Sequence, residues 1–122
     1  MAKTILAVDD SPCIRQLLSS ILTGQGYAVV EAVDGQDGLN KLARCTADLV
    51  ITDLHMPNLD GISLIHGIRR NAACRFTPII MLTTEHQESL RRAGAAAGAT
   101  AWLTKPFKSQ DLLMVIRRVF GC

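Results

Sequence analysis

Leu49-Val50-Ile51-Thr52-Asp53-Leu54-His55-Met56-Pro57 decides the architecture of this chain. Leu49 to Thr52 is a short apolar, β-rich run with the composition of a buried strand, and it stops at a carboxylate with a proline four residues on. Pro57 cannot donate to a ladder, so Asp53 falls where a strand ends and a loop begins. In a parallel sheet that position is the rim of the crevice at the carboxyl ends of the strands, where open α/β folds bind ligands. A strand-end aspartate also serves to cap a turn, and Asp53 alone does not decide between the two.

Outward from this stretch, strand-like and helix-like segments alternate five times. Upstream, Thr4-Ile5-Leu6-Ala7-Val8 is an apolar strand ending in Asp9-Asp10, and Ser11-Pro12 supplies an N-cap and a first-turn proline. Ile14, Leu17, Leu18, Ile21 and Leu22 then form one apolar stripe, and Gly24 and Gly26 stop the helix. Tyr27 to Ala32 is a second strand whose Glu31 marks an end near solvent, and Asp34-Gly35 opens a helix that turns Leu39, Leu42 and Ala43 inward.

Downstream of the central stretch, Asp60-Gly61 starts a helix with Leu64, Ile65 and Ile68 as its buried stripe, ending near Arg69-Arg70. Pro78 to Leu82 is a strand closing on Thr83-Thr84-Glu85. The spacing predicts a fourth helix from about His86 to Ala97, poorly committed because Leu90 is its one large aliphatic and Gly94 weakens its interior by about 1 kcal/mol. Gly98 offers its C-cap. Ala101 to Thr104 is the last strand, followed by Lys105-Pro106-Phe107. Ser109 is read as the cap of a final helix with Asp111 in its first turn and Leu112, Ile116, Val119 and Phe120 facing the core.

Five βα units with nearly continuous apolar strands imply an α/β fold, a parallel sheet covered by helices on both faces. Right-handed crossovers leave few topologies, and a flavodoxin-like doubly wound (βα)5 sheet with strand order 2-1-3-4-5 fits five units. At 122 residues the chain fits one domain, expected over 1–122. Hydrophobic content of 48% with 20% charged residues is that of an ordinary globular protein, and a net charge of +2 gives no argument for nucleic acid. Cys13, Cys45, Cys74 and Cys122 lie far apart without a C-x-x-C pair, which favours free thiols in a reducing compartment over disulfides or zinc. No signal peptide and no run of membrane-spanning length is present, so a cytoplasmic location is expected.

The predicted order makes the first and third strands neighbours at the switch point, so Asp9, Asp10 and Asp53 converge on one crevice with Thr83 and Lys105 beside it. Three close carboxylates need a counterion, and an all-oxygen site suits a hard divalent cation such as Mg²⁺. With a cation and an ammonium to spread the charge, Asp53 can attack phosphorus and form an acyl phosphate. Singly, Lys105 reads as a solvated surface charge and Thr83 as a polar strand end. Their joint placement at strand ends carries the weight.

Asp9-Asp10, Asp53 with Met56-Pro57, Thr83, and Lys105-Pro106-Phe107 resemble the receiver domain of two-component response regulators over essentially the whole chain. With no length left for an output domain, the chain is most similar to stand-alone chemotaxis regulators of the CheY type. The resemblance implies that Asp53 accepts a phosphoryl group from a sensor histidine kinase, and that Asp10 binds Mg²⁺ directly while Asp9 acts mostly through water. It further implies that the main-chain carbonyl of His55 completes the ligands, Thr83 and Lys105 contact phosphoryl oxygens, and Lys105-Pro106 is cis. A downstream target protein is implied, a flagellar motor switch being one candidate, with neither nucleic acid nor membrane as partner. Trp102 takes the place of the Tyr or Phe that moves inward when the threonine is drawn to the phosphate.

Three positions depart from the common pattern. Trp102 is larger than the usual aromatic, Thr84 stands where a small residue is frequent, and His55 follows the acceptor where a side chain can overhang the site. Other readings compete. A flavodoxin would have a hydroxyl-rich phosphate cradle where this chain has Asp9-Asp10, and a phosphatase of the haloacid-dehalogenase type would have D-x-D. A phosphorelay intermediate, or a receiver-shaped module that is never phosphorylated, also remains open. His66 and His86 are expected on helix surfaces, and the face of the fourth helix, fifth strand and fifth helix collects Arg91, Arg92, Lys108, Arg117 and Arg118.

Overall fold

The structure, a computed structural model, describes residues 2–121. Five strands and five helices alternate along the chain: β1 (Thr4–Val8), α1 (Pro12–Thr23), β2 (Ala28–Ala32), α2 (Gly35–Leu42), β3 (Leu49–Thr52), α3 (Gly61–Arg70), β4 (Ile79–Thr83), α4 (Glu88–Ala97), β5 (Ala101–Thr104) and α5 (Ser109–Val119). The strands form one parallel sheet in the order β2-β1-β3-β4-β5, the flavodoxin-like arrangement that the βα alternation predicts.

The strands are apolar on both sides because each side meets helices. Leu6 and Val8 of β1 join α2, α3 and α4 in one core with Leu64, Ile65 and Ile68. Ile5 and Ala7, one residue out of phase, join α1 and α5 in the other with Leu18, Leu22, Leu112 and Ile116. Each fully buried large aliphatic contributes about 1.5–3 kcal/mol.

Several local expectations shift. Leu17 is 46% exposed. The buried stripe of α1 centres on Leu18 and Leu22, and Leu17 lies one residue, about 100°, away from Leu18 on the rim. Ala43 is exposed because α2 ends at Leu42 and Ala43 is its C-cap. The α4 helix begins at Glu88, two residues later than predicted, because the Glu85 carboxylate accepts from the backbone N–H groups of His86 (3.1 Å) and Gln87 (2.9 Å) and closes a turn there. His86 is therefore exposed in that turn, whereas His66 is exposed on α3. Ser109 is the first residue of α5, with Lys108 at the cap position and no side-chain capping bond. At α1, by contrast, the Ser11 hydroxyl accepts from Ile14 N and Pro12 opens the helix. Cys13, Cys45 and Cys74 are free thiols, and Cys122 lies outside the described residues. No helix is long and apolar enough to cross a membrane among the described residues.

Candidate functional site at the carboxyl ends of the strands

The register places the site. Val8 of β1 pairs with Thr52 of β3, and the ladder runs one bond further, Asp53 N donating to Val8 O at 3.0 Å. Asp9 and Asp53 therefore leave adjacent strands at the same level. On the other side Thr83 pairs with Thr104, and Lys105 N donates to Thr83 O at 2.9 Å, which brings Lys105 to the same rim. The Lys105-Pro106 peptide is cis.

One oxygen each of Asp9, Asp10 and Asp53 lie within 4.8 Å of one another. Lys105 Nζ sits between two of them, 2.6 Å from Asp9 Oδ2 and 3.2 Å from Asp53 Oδ2. The lysine is not the solvated surface charge its sequence position alone implies: its side chain is only 12% exposed. The Asp9 and Asp53 carboxylates supply the counter-charge that a largely buried ammonium requires. Asp9 is 2% exposed, and burial raises its pKa above the ordinary carboxylate value, opposed by hydrogen bonds from Lys105 and the Ser11 N–H. Asp10 is exposed, and its carboxylate accepts no hydrogen bond from the described residues.

An all-oxygen cluster with one carboxylate left unengaged and a second buried against its own charge fits a hard divalent cation. Lys105 supplies one positive charge to three carboxyl groups, so the donor set retains room for further positive charge.

The loop after Asp53 is held from three directions. Asp53 Oδ1 accepts from Leu54 N at 2.7 Å. Gly61 N donates to Leu54 O at 2.8 Å, and a Cβ at Gly61 would lie 2.3 Å from Asp53 O, so only glycine lets α3 start this close to the acid. Asn58, at φ 67°, donates from Nδ2 to Asp34 Oδ2 at 2.7 Å, joining this loop to the one that precedes α2.

Thr83 is fully buried at the end of β4; its hydroxyl accepts from Glu85 N at 3.3 Å. His55, whose side chain is 60% exposed, places Nε2 2.5 Å from Glu85 Oε1 and so links the loops after β3 and β4. The His55 hydrogen bond, first among the causes, and the Gln87 N–H hold Glu85 below the usual glutamate range. Sequence reasoning left Glu85 without a role, the only signal being an acid two residues beyond Thr83. Thr84, the other departure in this loop, is exposed. Trp102 pairs with Met81 in the sheet and packs half-buried against the α4 side of the core; its Nε1 is buried without a hydrogen-bond partner among the described residues.

The crevice is thus lined by acids from two adjacent parallel strands and clasped by a lysine that follows a third. The chain belongs to the response regulator receiver domain family, matching it over residues 5–117. It is 34% identical to Protein PilG of Pseudomonas aeruginosa over 93% of its own length and 84% of that protein's. It spans about half of some transcriptional regulators among its curated relatives, 46% and 52% of their lengths. Among solved structures it is similar to the chemotaxis protein CheY4 of Vibrio cholerae, with 41% identity, 98% and 99% of the two chains covered and a TM-score of 0.93. It is likewise similar to the receiver domain of the sensor histidine kinase PA1611 of Pseudomonas aeruginosa, 31% identical over the full length of both with a TM-score of 0.91, which was determined with a magnesium ion coordinated in its active-site cleft.

Proposed function

We propose that Asp53 accepts a phosphoryl group from a phosphohistidine of a sensor histidine kinase, with Mg²⁺ as the cofactor. The observation that supports this most is Lys105 Nζ within hydrogen-bond distance of both Asp9 and Asp53 beside the exposed Asp10. A carboxylate oxygen of Asp53 attacks phosphorus, the P–N bond breaks, and its electron pair remains on the imidazole nitrogen, which takes up a proton. Lys105 can turn from the Asp9 carboxylate to a phosphoryl oxygen, and the Thr83 hydroxyl, which donates to no acceptor among the described residues, serves a second. Asp10 and Asp53 would hold the metal directly, the main-chain carbonyl of His55 with them, and Asp9, already engaged by Lys105 and Ser11, through water. When bound, the metal offsets the charge that builds on the transferring group. No external substrate is turned over; the acyl phosphate is the signal.

The signal leaves through Thr83 and Trp102. Between α4 and β5 lies a groove of about 440 Å³ lined by Arg91, Arg92, Thr100, Trp102 and Glu88, the last pairing with Arg92 at 3.4 Å and leaving the Arg91 guanidinium, 5.4 Å from the indole centroid, as the cation against the ring. Arg117 and Arg118 extend the positive charge along α5. This face suits an acidic and apolar peptide of a downstream cytoplasmic protein, a chemotactic target such as a flagellar motor switch being the reading that the likeness to the chemotaxis protein CheY4 favours.

The test is intact mass after incubation with acetyl phosphate and Mg²⁺. The protein gains one phosphoryl group and Asp53→Ala gains none; equal labelling of the variant overturns the assignment of the acceptor.

A further inference from the structure

We infer that Arg15 of α1 is a positioning residue for the divalent cation, acting through the main chain of Asp9. The inference rests on the metal reading above and concerns a residue that no part of that reading uses. Arg15 Nη1 donates to Asp9 O at 2.6 Å, and its Nε lies 3.4 Å from Glu31 Oε1 of β2. The side chain is 15% exposed, so a guanidinium is laid down along the rim of the sheet and held at both ends. Its reach is set locally. Ser11 caps α1, Arg15 N donates to Ser11 O, and the first turn of the helix therefore projects Arg15 back over the Asp9-Asp10 peptide.

The carbonyl it grips belongs to the peptide that joins the two acids. That peptide plane fixes the direction in which the Asp10 side chain leaves the backbone, and Asp10 has no other restraint on its carboxylate among the described residues. Asp9 is separately held, its Oδ1 by Ser11 N and its Oδ2 by Lys105. With Arg15 in place the exposed Asp10 oxygen is pre-aimed at the cluster; without it the peptide can rotate and the cation must order it on binding. Partners outside a ligand shell that orient the ligands commonly change metal affinity by about 10- to 100-fold.

The sign of the effect separates positioning from charge. Arg15 is a cation near the place where another cation binds, so as a charge alone it opposes binding, and removing it would tighten Mg²⁺. As a positioning residue it favours binding, and removing it loosens Mg²⁺. Calorimetric titration with Mg²⁺, with circular dichroism as a check on folding, distinguishes the two. Arg15→Ala should weaken Mg²⁺ by about tenfold, and Arg15→Lys, which keeps the charge and one donor to the carbonyl, should recover part of the loss. If Arg15→Ala alone fails to fold, Arg15→Lys against Glu31→Gln carries the test, since Glu31→Gln slackens the outer end of the clamp and should weaken Mg²⁺ by a smaller factor. Unchanged or tighter binding in folded Arg15→Ala, or in both conservative variants, overturns the positioning role and leaves the metal site intact. No Mg²⁺ binding by the unsubstituted protein overturns the metal reading and this inference together.

Discussion

Gly94 of α4 lies against the edge of the Trp102 indole: a Cβ at Gly94 would come within 3.0 Å of Cζ3. What reads in sequence as a weak point of the helix is the clearance that admits the largest aromatic side chain in the chain. Arg91, one turn earlier, covers the ring from outside.

Gly94→Ala should therefore not give the gain of about 1 kcal/mol that helix propensity alone predicts. The methyl must displace the indole or α4, at a cost of about 1–3 kcal/mol, so the net change is a loss of roughly 1 kcal/mol with a shifted Trp102 emission. Urea unfolding followed by fluorescence reads both. A more stable variant with an unaltered spectrum would show that the contact is slack.

Trp102 is the sole tryptophan, so its emission reports β5 without interference. Its indole N–H is buried without an acceptor among the described residues, a state that costs about 1–3 kcal/mol and favours any rearrangement that supplies one. Beryllofluoride with Mg²⁺, an imitation of the acyl phosphate, should change the intensity or wavelength of this emission, and Thr83→Ala should remove most of the change without weakening the metal. An unchanged spectrum with Asp53 occupied would place the output elsewhere.

Lys105→Met is expected to keep the fold and to bind Mg²⁺ at least as tightly, because a competing cation is gone. It should lose the beryllofluoride response of Trp102. Stability without metal should fall by about 1–3 kcal/mol at pH 7, since Asp9 would be left buried without its ammonium. Burial already raises the Asp9 pKa, and an acid whose folded-state value is raised favours the fold when protonated and disfavours it as pH climbs through that value. The loss should accordingly shrink toward acid pH. A variant as stable as its parent at pH 7 that still switches would refute the role given to the ammonium.

Asp34 titrates in the opposite sense. The Asp37 N–H, then Asn58 Nδ2 and the Gln36 N–H, hold its carboxyl below the ordinary 3.8. An acid lowered in this way stabilises the fold above its unfolded value, and the contribution disappears as pH falls through the folded one. Asp34→Ala should cost about 1–2 kcal/mol at pH 7, the usual loss for a helix N-cap. Urea midpoints of parent and variant should converge as pH drops below 3.8; a constant difference down to that range would mean that the anion contributes nothing.

The order of the elements and the ends of the strands were legible in the sequence because the signals are local. Apolar runs bounded by Asp and Pro mark β1, β3 and β4, stripes at helical spacing mark α1, α3 and α5, and right-handed crossovers then leave few arrangements, of which the best fit to five units puts Asp9 beside Asp53. The contacts that shape the site were not local. Lys105 reaches Asp9 across 96 positions and His55 reaches Glu85 across 30, and no periodicity records such a distance. Arg15 is only six residues from the carbonyl it grips, yet Glu31, which holds its other end, arrives from another strand. Whether Leu17 faced core or solvent, whether Lys105 was a surface charge or a buried partner, and whether Gly94 was a flaw or a clearance were decided by what packs opposite each residue. That neighbour exists only once the sheet has formed.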